Sequence, residues 1–178
     1  MVTVSEIEPS GYDQHLDGLA DILQACVHDG ASVGFILPFP LEESRAFWQQ
    51  RVFPPARDGG RVLLGATTED RLVGTVQLVT DMLPSQVHRC EVSKLLVHPD
   101  HRGQGIAKRL MADLENRARD MNRSLITLDT KTGDSAEPLY QSLGYETAGM
   151  TPNYCRNASQ AMLDSTTWMY KNLQVTQP

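Results

Sequence analysis

The sequence is poor in cysteine and has no long apolar stretch. Its three cysteines, Cys26, Cys90 and Cys155, are odd in number and far apart, so they match neither a disulfide framework nor a CxxC metal site. No window approaches the roughly 18 apolar residues that a membrane span needs. The first residues, MVTVSEIEPSGYD, also lack the basic and apolar regions of a secretory signal. We therefore expect reduced, structural cysteines, no membrane partner and a cytoplasmic location.

Positive charge is also scarce. The chain has 16 Lys and Arg against 22 Asp and Glu, which gives a formal net charge of -6 and a pI near 5.3. The electrostatic field of such a chain repels phosphate backbones, so we expect no nucleic-acid partner. The histidines His88, His98 and His101 lack acidic partners at ligand spacing, so we expect no metal site either.

Apolar residues make up 40% of the chain, an ordinary globular content, and their periodicity predicts both strands and helices. Strands are predicted at residues 3–7, 61–68, 71–80, 89–97, 124–130, 145 onward and 165–172, and helices at 12–27, 41–52, 105–122 and 136–143. The second helix should end before Pro54. No repeat or linker interrupts this order. Residues 1–178 are therefore expected to form a single α/β (mixed α+β) domain, with a mixed sheet of about seven strands flanked by helices on both faces.

The segment between the first two helices, residues 28–40, contains two glycines and two prolines and is typical of a loop. It is unusually apolar for a loop, because Val33, Phe35, Ile36 and Leu37 lie close together. Such a segment either forms the lid or wall of a binding site or packs beneath a helix. The sequence leaves both interpretations open.

A glycine-rich turn connects a predicted strand to the clearest amphipathic helix of the chain. Gly103 and Gly105 let successive backbone N–H groups converge, and the helix N-terminus adds its positive dipole end. Arg102 can add a charge-assisted contact. We therefore predict a pyrophosphate-binding turn, and the structural alternative is a tight turn that binds no ligand. A P-loop is excluded because no Gly-Lys-Ser/Thr sequence ends the turn, and a Rossmann turn is excluded because Lys108 stands where the third glycine would fall.

Two segments carry a family resemblance. The sequence LLVHPDHRGQGIA, residues 95–107, resembles the R/Q-x-x-G-x-G/A signature of the GNAT superfamily of N-acetyltransferases. The sequence AEPLYQSLGY, residues 136–145, resembles the A-x-x-L-Y-x-x-L-G-F/Y signature of the same superfamily. The resemblance covers the sheet from Arg61 onward. It implies the GNAT fold, acetyl-CoA as cosubstrate, transfer of its acetyl group to an amine, and a homodimer as a frequent assembly.

The same resemblance assigns residues to coenzyme binding. Backbone groups of the strand before the turn would pair with the pantetheine arm, an amide there would polarise the acetyl carbonyl, and the turn would hold the pyrophosphate. The predicted coenzyme-binding residues are Leu95, Leu96, Val97, Arg102, Gly103, Gln104, Gly105, Ile106 and Ala107. One position departs from many family members, because Gly133 stands where they have an asparagine. Asp134, Ser135 or the backbone would have to replace that contact with the coenzyme.

Acetylation of an amine needs a base, because an amine is mostly ammonium at neutral pH, and a proton donor for the departing thiolate. The resemblance implies that Tyr140 protonates the coenzyme sulfur. It also implies that Glu91 and Asp129 bind the amine and relay its proton, and it leaves open which of them is the base. The structural alternatives are a tyrosine that only packs and an Asp129 that caps a turn. Glu91 could likewise pair with Arg89 or Lys94.

Four segments carry a closer resemblance to one group within this superfamily, and that resemblance bears on the acceptor of the acetyl group. Resemblance to the tabtoxin-resistance acetyltransferases, which act on a β-lactam amino-acid toxin, is carried by HDGASVGF, EVSKL, LDT and NYC, at residues 28–35, 91–95, 128–130 and 153–155. It implies a primary amine on a small molecule, with an amino-acid-like toxin or antibiotic as candidates. The predicted substrate-binding residues are His28, Ser32, Phe35 and Tyr154.

Two other functions are compatible with the same motifs. A non-catalytic protein could sense acetyl-CoA or sequester a small ligand, and it would need neither Tyr140 nor Glu91. A protein N-acetyltransferase could act on a peptide terminus or a lysine, but it would need an open groove for the peptide. The apolar loop at residues 28–40 favours a closed pocket for a small molecule instead.

Overall fold

The computed structural model describes residues 1–174, and seven strands in it form one sheet. The strands are β1 (Thr3–Glu6), β2 (Arg61–Thr68), β3 (Arg71–Val79), β4 (Arg89–Val97), β5 (Leu125–Lys131), β6 (Glu146–Arg156) and β7 (Leu163–Asn172). Their order across the sheet is β1-β2-β3-β4-β5-β7-β6, and every neighbouring pair is antiparallel except β4 and β5. The predicted mixed sheet, with a parallel pair on either side of the glycine turn, is confirmed.

Within the described residues the helices are α1 (Tyr12–His28), α2 (Leu41–Phe47), α3 (Phe53–Arg57), α4 (Ile106–Asp120) and α5 (Ala136–Ser142). The prediction that the second helix ends before Pro54 is wrong. A π-helical turn, Trp48–Val52, follows α2, and α3 begins directly after it and contains both prolines. Proline is tolerated there because the first N–H groups of a helix have no partner within the helix. In this part of the chain, no helix has the length and apolar content to cross a bilayer.

Successive side chains of a strand point to opposite faces of the sheet, so the core has one part on each face. Leu63 and Leu72 point to one face, where they pack with apolar residues of α1, the π-helical turn and α3. Leu64 and Val73 point to the opposite face, where they pack with α4 and with Tyr140 of α5. Helices therefore cover both faces of the sheet, as predicted.

Gly74 lets α4 lie close to β3. A Cβ atom at this position would be 3.1 Å from Ile106 Cγ2, 3.2 Å from Leu110 Cδ1 and 3.2 Å from the carbonyl oxygen of Leu96. Contacts this short leave no room for a methyl group in a close-packed interior. Since Gly74 pairs with Val97, the last residue of β4, the first turn of α4 is held against the sheet beside the end of that strand.

The sheet opens between β4 and β5. These two strands pair only over residues 89–91 opposite 125–127. On its other edge, β5 pairs with β7 along its whole length, from Leu125 to Lys131. Beyond Glu91, one edge of β4 therefore faces a gap in the sheet.

A β-bulge interrupts the pairing of β4 with β3. The register shifts between Thr75 and Gln77, whose partners on β4 are Leu96 and Ser93, and Lys94 within the bulge has a φ of +52°. Bulges change the direction of side chains and backbone groups, and they are common beside active sites. Here the bulge lies in the part of β4 that borders the gap.

The loop between α1 and α2 is held by hydrogen bonds from both sides. The carbonyl oxygen of Phe39 accepts a bond from the Gln24 side chain at 3.2 Å and lies 2.9 Å from Nε2 of His28. Leu37 donates its N–H to the carbonyl oxygen of Ala158 at 2.8 Å. Because Phe39 is also buried, it anchors the end of this loop in the core, while Ile36, Pro38 and Pro40 are exposed.

Candidate active site

A cleft of about 830 Å³ opens where β4 and β5 separate. Its walls come from the end of α1 and the loop that follows, the glycine turn, the first turn of α4, α5 and β6. The predicted site residues that line it are Ser32, Glu91, Leu95, Leu96, Val97, Arg102, Gly103, Gly105, Ile106, Ala107, Asp129, Tyr140 and Tyr154. The structure does not bring His28, Phe35 or Gln104 into its wall.

The glycine turn has the backbone geometry needed to bind an anion. Gly103 and Gly105 have φ angles of +75° and +76°, a left-handed conformation that favours glycine, and a Cβ atom at either position would meet nothing within 4 Å. Gly105 is the N-cap of α4, and no side chain caps the first N–H groups of this helix. The turn and the helix therefore present backbone donors and a positive dipole end, which suit a pyrophosphate.

Arg102 is engaged by the end of α1. Its Nη1 pairs with the carboxylate of Asp29, its Nε donates to the carbonyl oxygen of Val97 at 3.3 Å, and its Nη2 lies 3.9 Å from the sulfur of Cys26. Cys26 donates its S–H to the same carbonyl oxygen at 3.4 Å. Arg102 thus ties α1 to the glycine turn. Any contact from its guanidinium to a phosphate has to compete with Asp29.

The part of β4 beyond Glu91 supplies a backbone edge. Leu96 and Val97 pair with Thr75 and Gly74 on the β3 side. On the β5 side, no strand among the described residues pairs with this part of β4. An extended chain that contains amide groups, such as a pantetheine arm, fits this edge because it can pair with the strand backbone as another strand would.

Glu91 and Asp129 stand on the two strands that border the gap. Burial raises the pKa of Glu91 above its ordinary value of 4.5, and the charge of Arg89, whose Nη1 lies 3.8 Å from Glu91 Oε2, partly offsets that rise. The nearby charge of Asp129 raises the same pKa further. Asp129 itself lies within β5 and caps no turn; its carboxylate accepts a hydrogen bond from the Thr166 hydroxyl at 3.0 Å.

Tyr140 belongs both to the core and to the wall of the cleft. It is only 6% exposed, and its ring packs edge-on against Tyr145 with the ring centroids 5.7 Å apart. Burial raises the pKa of Tyr140, and the charge of Asp129 adds to the rise. The phenol is therefore neutral at physiological pH and available as a donor toward the cleft.

Ser32 and Tyr154 lie where two walls of the cleft meet. The Ser32 hydroxyl is 3.5 Å from the sulfur of Cys155. The Tyr154 ring packs edge-on against Trp168, with the ring centroids 5.6 Å apart. The loop after α1 and strand β6 therefore touch here and narrow the cleft at this end.

His28 and Phe35 have other surroundings. His28 is exposed, and its imidazole bonds to the carbonyl oxygen of Phe39. Val27 is buried, and successive residues of a helix are about 100° apart around its axis. His28 therefore lies off the side of α1 that faces the core. Phe35 packs against Phe39 and Phe47, with ring centroids 4.6 and 5.0 Å away.

Sequence reasoning did not assign Lys94 to the site. It lies on the bulge of β4, and burial lowers its pKa, while the charge of Asp129 opposes that shift. The local pattern gave no signal for the bulge, because a bulge depends on the register with β3.

Asp134 and Ser135 also line the cleft, next to Gly133, the position at which many family members have an asparagine. No three His, Cys, Asp or Glu side chains within residues 1–174 are placed to hold a metal ion.

Known proteins resemble this chain in sequence and in fold. Human N-acetyltransferase 8B is 41% identical over 88 residues, which make up 48% of this chain but only 39% of that protein. A ribosomal-protein-alanine N-acetyltransferase from Brucella melitensis has a TM-score of 0.78 at 22% identity, with 96% of this chain and 99% of that one covered. A putative acetyltransferase from Salmonella typhimurium, solved with its cofactor acetyl-CoA, has a TM-score of 0.77 at 17% identity, with 99% and 96% covered. At such low identity, the two structures show a common fold.

The model of the acetyltransferase (GNAT) family matches residues 17–145. The matched region runs from α1 through the glycine turn and α5 to Tyr145, so it contains both signature segments and most of the cleft. The mixed seven-stranded sheet and the structural neighbours confirm the predicted GNAT fold. The chain belongs to the GNAT family of acetyltransferases.

Proposed function

We propose that this protein is an acetyl-CoA-dependent N-acetyltransferase whose acceptor is a primary amine on a small molecule. The supporting observation is that one cleft contains the glycine turn, the edge of β4, the carboxylates of Glu91 and Asp129, and Tyr140. A protein that only senses acetyl-CoA would need the turn and the edge alone. The two carboxylates and the tyrosine therefore favour catalysis over sensing or sequestration.

The donor groups of the cleft suit acetyl-CoA. The N–H groups of the glycine turn and of the first turn of α4 would hold the pyrophosphate, and the edge of β4 beyond Glu91 would pair with the amides of the pantetheine arm. The coenzyme, when bound, supplies an activated acetyl thioester. A backbone N–H near the bulge at Lys94 would polarise the acetyl carbonyl by donating a hydrogen bond to it.

Glu91 is the base in this proposal. Its raised pKa brings it closer to the range in which a base works best near neutral pH. Asp129, which Thr166 holds in place, would bind the ammonium form of the acceptor and orient it. Glu91 takes one proton from this ammonium, and the neutral amine then attacks the acetyl carbon directly in a ternary complex. The C–S bond breaks as the C–N bond forms, and the second proton that the nitrogen loses restores Tyr140 after Tyr140 has protonated the thiolate.

Tyr140 is the proton donor for the departing thiolate. Burial disfavours a phenolate, as the raised pKa of Tyr140 shows, but it disfavours a thiolate at the same place for the same reason. Transfer of the phenolic proton to sulfur therefore exchanges one disfavoured anion for another. This helps the leaving group without requiring an ionised tyrosine beforehand.

The narrow end of the cleft favours a small acceptor over a peptide. The contact between Ser32 and Cys155 joins the two walls there, whereas a peptide would need an open groove. The Brucella melitensis neighbour is by name a ribosomal-protein-alanine N-acetyltransferase, so the fold alone does not decide the acceptor. Resemblance of residues 28–35 and 91–95 to the tabtoxin-resistance acetyltransferases supports an amino-acid-like toxin or antibiotic.

The test is to mix the purified protein with acetyl-CoA and a panel of amines and to follow the release of free CoA thiol. The panel holds amino acids, toxin-like amino acids, aminoglycosides, polyamines and a peptide with a free N-terminus. We expect release that depends on a small amine. Tight binding of acetyl-CoA without turnover of any amine would favour a sensor, and turnover of the peptide alone would favour a protein N-acetyltransferase.

Replacing Gly105 with alanine should weaken acetyl-CoA binding by about ten-fold, measured by calorimetric titration. A φ of +76° costs alanine about 1–2 kcal/mol, so the turn would shift and its N–H groups would no longer converge on the pyrophosphate. Gly59→Ala is the matched control, because Gly59 has a φ of +78°, equally open surroundings and a place outside the cleft. The Gly59→Ala variant should lose about as much thermal stability as Gly105→Ala and should keep its affinity for acetyl-CoA. Equal affinity in the two variants would contradict the role of the turn.

A further inference from the structure

A second depression of about 500 Å³ adjoins the cleft on the side of α2 and β2. Its wall contains Arg51 from the π-helical turn, Arg61 from the start of β2, Lys94 from the bulge of β4, and the rings of Phe35 and Phe47. We call it the cationic side pocket. Lys94 lines both this pocket and the main cleft, so the two are adjacent at the bulge.

The cationic side pocket carries three positive side chains, and no carboxylate is among the described residues that line it. Glu91 and Asp129 lie outside its wall, where Glu91 also pairs with Arg89 at 3.8 Å and Asp129 accepts a bond from Thr166. Burial lowers the pKa of Lys94, the charges of Asp129 and Glu91 oppose that shift, and the charge of Arg61 adds to it, as expected for two cations close together. An anionic group in this pocket would offset that repulsion.

The contacts of Arg61 and Lys94 indicate which kind of anion the pocket suits. Arg61 donates from Nη1 to Oε1 of Gln77 at 2.5 Å, and its buried Nε has no partner within residues 1–174. The Lys94 ammonium lies 6.0 Å from the ring centroid of Phe35 and 5.8 Å from that of Phe47. The cations therefore lie beside an aromatic wall, which suits an anionic group on a short apolar or aromatic stem.

We propose that the cationic side pocket binds a carboxylate of the acceptor, so that the acceptor is a zwitterion with its amine at Glu91 and Asp129 and its carboxylate at Arg51, Arg61 and Lys94. This inference rests on the proposed function and specifies its substrate class. Guanidinium groups present paired donors that match a carboxylate. Polycationic acceptors such as aminoglycosides and polyamines lack the group that this pocket recognises.

The test compares amino acids with their C-terminal amides, which keep the amine and lose the anion. With acetyl-CoA saturating, kcat/KM should be higher for the acid than for its amide by about ten-fold or more, as expected for a hydrogen bond to a charged group. Arg51→Gln should lower kcat/KM for the acid and lower this ratio by about three-fold or more, while Arg61 and Lys94 keep part of the preference. Arg71→Gln is the matched control, because it removes the same charge from an exposed side chain outside both cavities and should keep the ratio.

An acid-to-amide ratio below about two, or a ratio that Arg51→Gln leaves unchanged, would overturn the proposal. If no amine is turned over, the proposed function fails. Calorimetric titration with 3-phenylpropionate and 3-phenylpropionamide then tests whether the pocket binds an anion, since neither compound contains an amine. The acid should bind more tightly than the amide by about ten-fold, and Arg51→Gln should reduce the difference. Equal binding, or no binding of the acid, would overturn the pocket as an anion site.

Discussion

Replacing Glu91 with glutamine should lower kcat by about 100- to 10,000-fold, since an amide cannot take the proton of the acceptor amine. The variant keeps the shape of the side chain and removes a charge that burial already disfavours, so we expect it to fold. The measurement is steady-state release of CoA thiol with the acceptor that the amine panel identifies. An unchanged kcat would mean that Glu91 is not the base.

The pH profile separates the base from the carboxylate that binds the ammonium. A base works only when it is unprotonated, so kcat/KM should fall as the pH drops through the pKa of Glu91, which burial raises above 4.5. The Glu91→Gln variant should lose this acid limb of the pH profile. Any limb that remains reports the ionisation of the acceptor amine. Asp129→Asn should keep the limb and raise the KM for the amine. The opposite pattern in the two variants would assign the base to Asp129.

Replacing Tyr140 with phenylalanine should lower kcat by about 100-fold, because the departing thiolate would lose its proton donor. Acetyl-CoA affinity should stay within about two-fold, since the proposed contacts with the coenzyme come from the glycine turn and the backbone of β4. The raised pKa of Tyr140 keeps the phenol protonated through the usual assay range, so its ionisation should add no alkaline limb to the profile of the native protein. Stopped-flow measurement of a single turnover would locate the loss in the acetyl-transfer step.

Tyr12→Phe is the control for this variant. Tyr12 is a buried tyrosine at the start of α1 that stacks on Phe53, with the ring centroids 4.3 Å apart, and it lies outside the cleft. The Tyr12→Phe substitution removes the same hydroxyl group, and the variant should keep the kcat of the native protein. Equal losses in the two variants would indicate a general effect on folding, and an unchanged kcat for Tyr140→Phe would remove this residue as the acid.

Much of the fold could be predicted because its signals are local. Alternation along β2 and β3 and the apolar stripe of α4 are visible within ten to twenty residues. The glycine turn followed from a strand, two glycines and a helix in succession. The region after Phe47 is the exception, because the π-helical turn carries the chain into α3 and past Pro54, where local signals indicated an end.

The candidate site could be predicted only in part. Glu91, Asp129 and Tyr140 were identified from matched motifs, and all three line the cleft. Their proposed roles await the experiments above. The resemblance carried by residues 28–35 assigned His28 and Phe35 to the substrate together with Ser32, but residues of one segment need not face the same way.

The sequence by itself determined the family, the mixed α/β fold and the glycine turn, because each depends on short segments whose residues interact with one another or with their own backbone. Only the tertiary structure decided the gap between β4 and β5, the bulge at Lys94, and the approach of Arg51 and Arg61 to Lys94 beside Glu91. These features depend on strand register and on packing between residues far apart in the chain, and no single segment contains the interactions that set them.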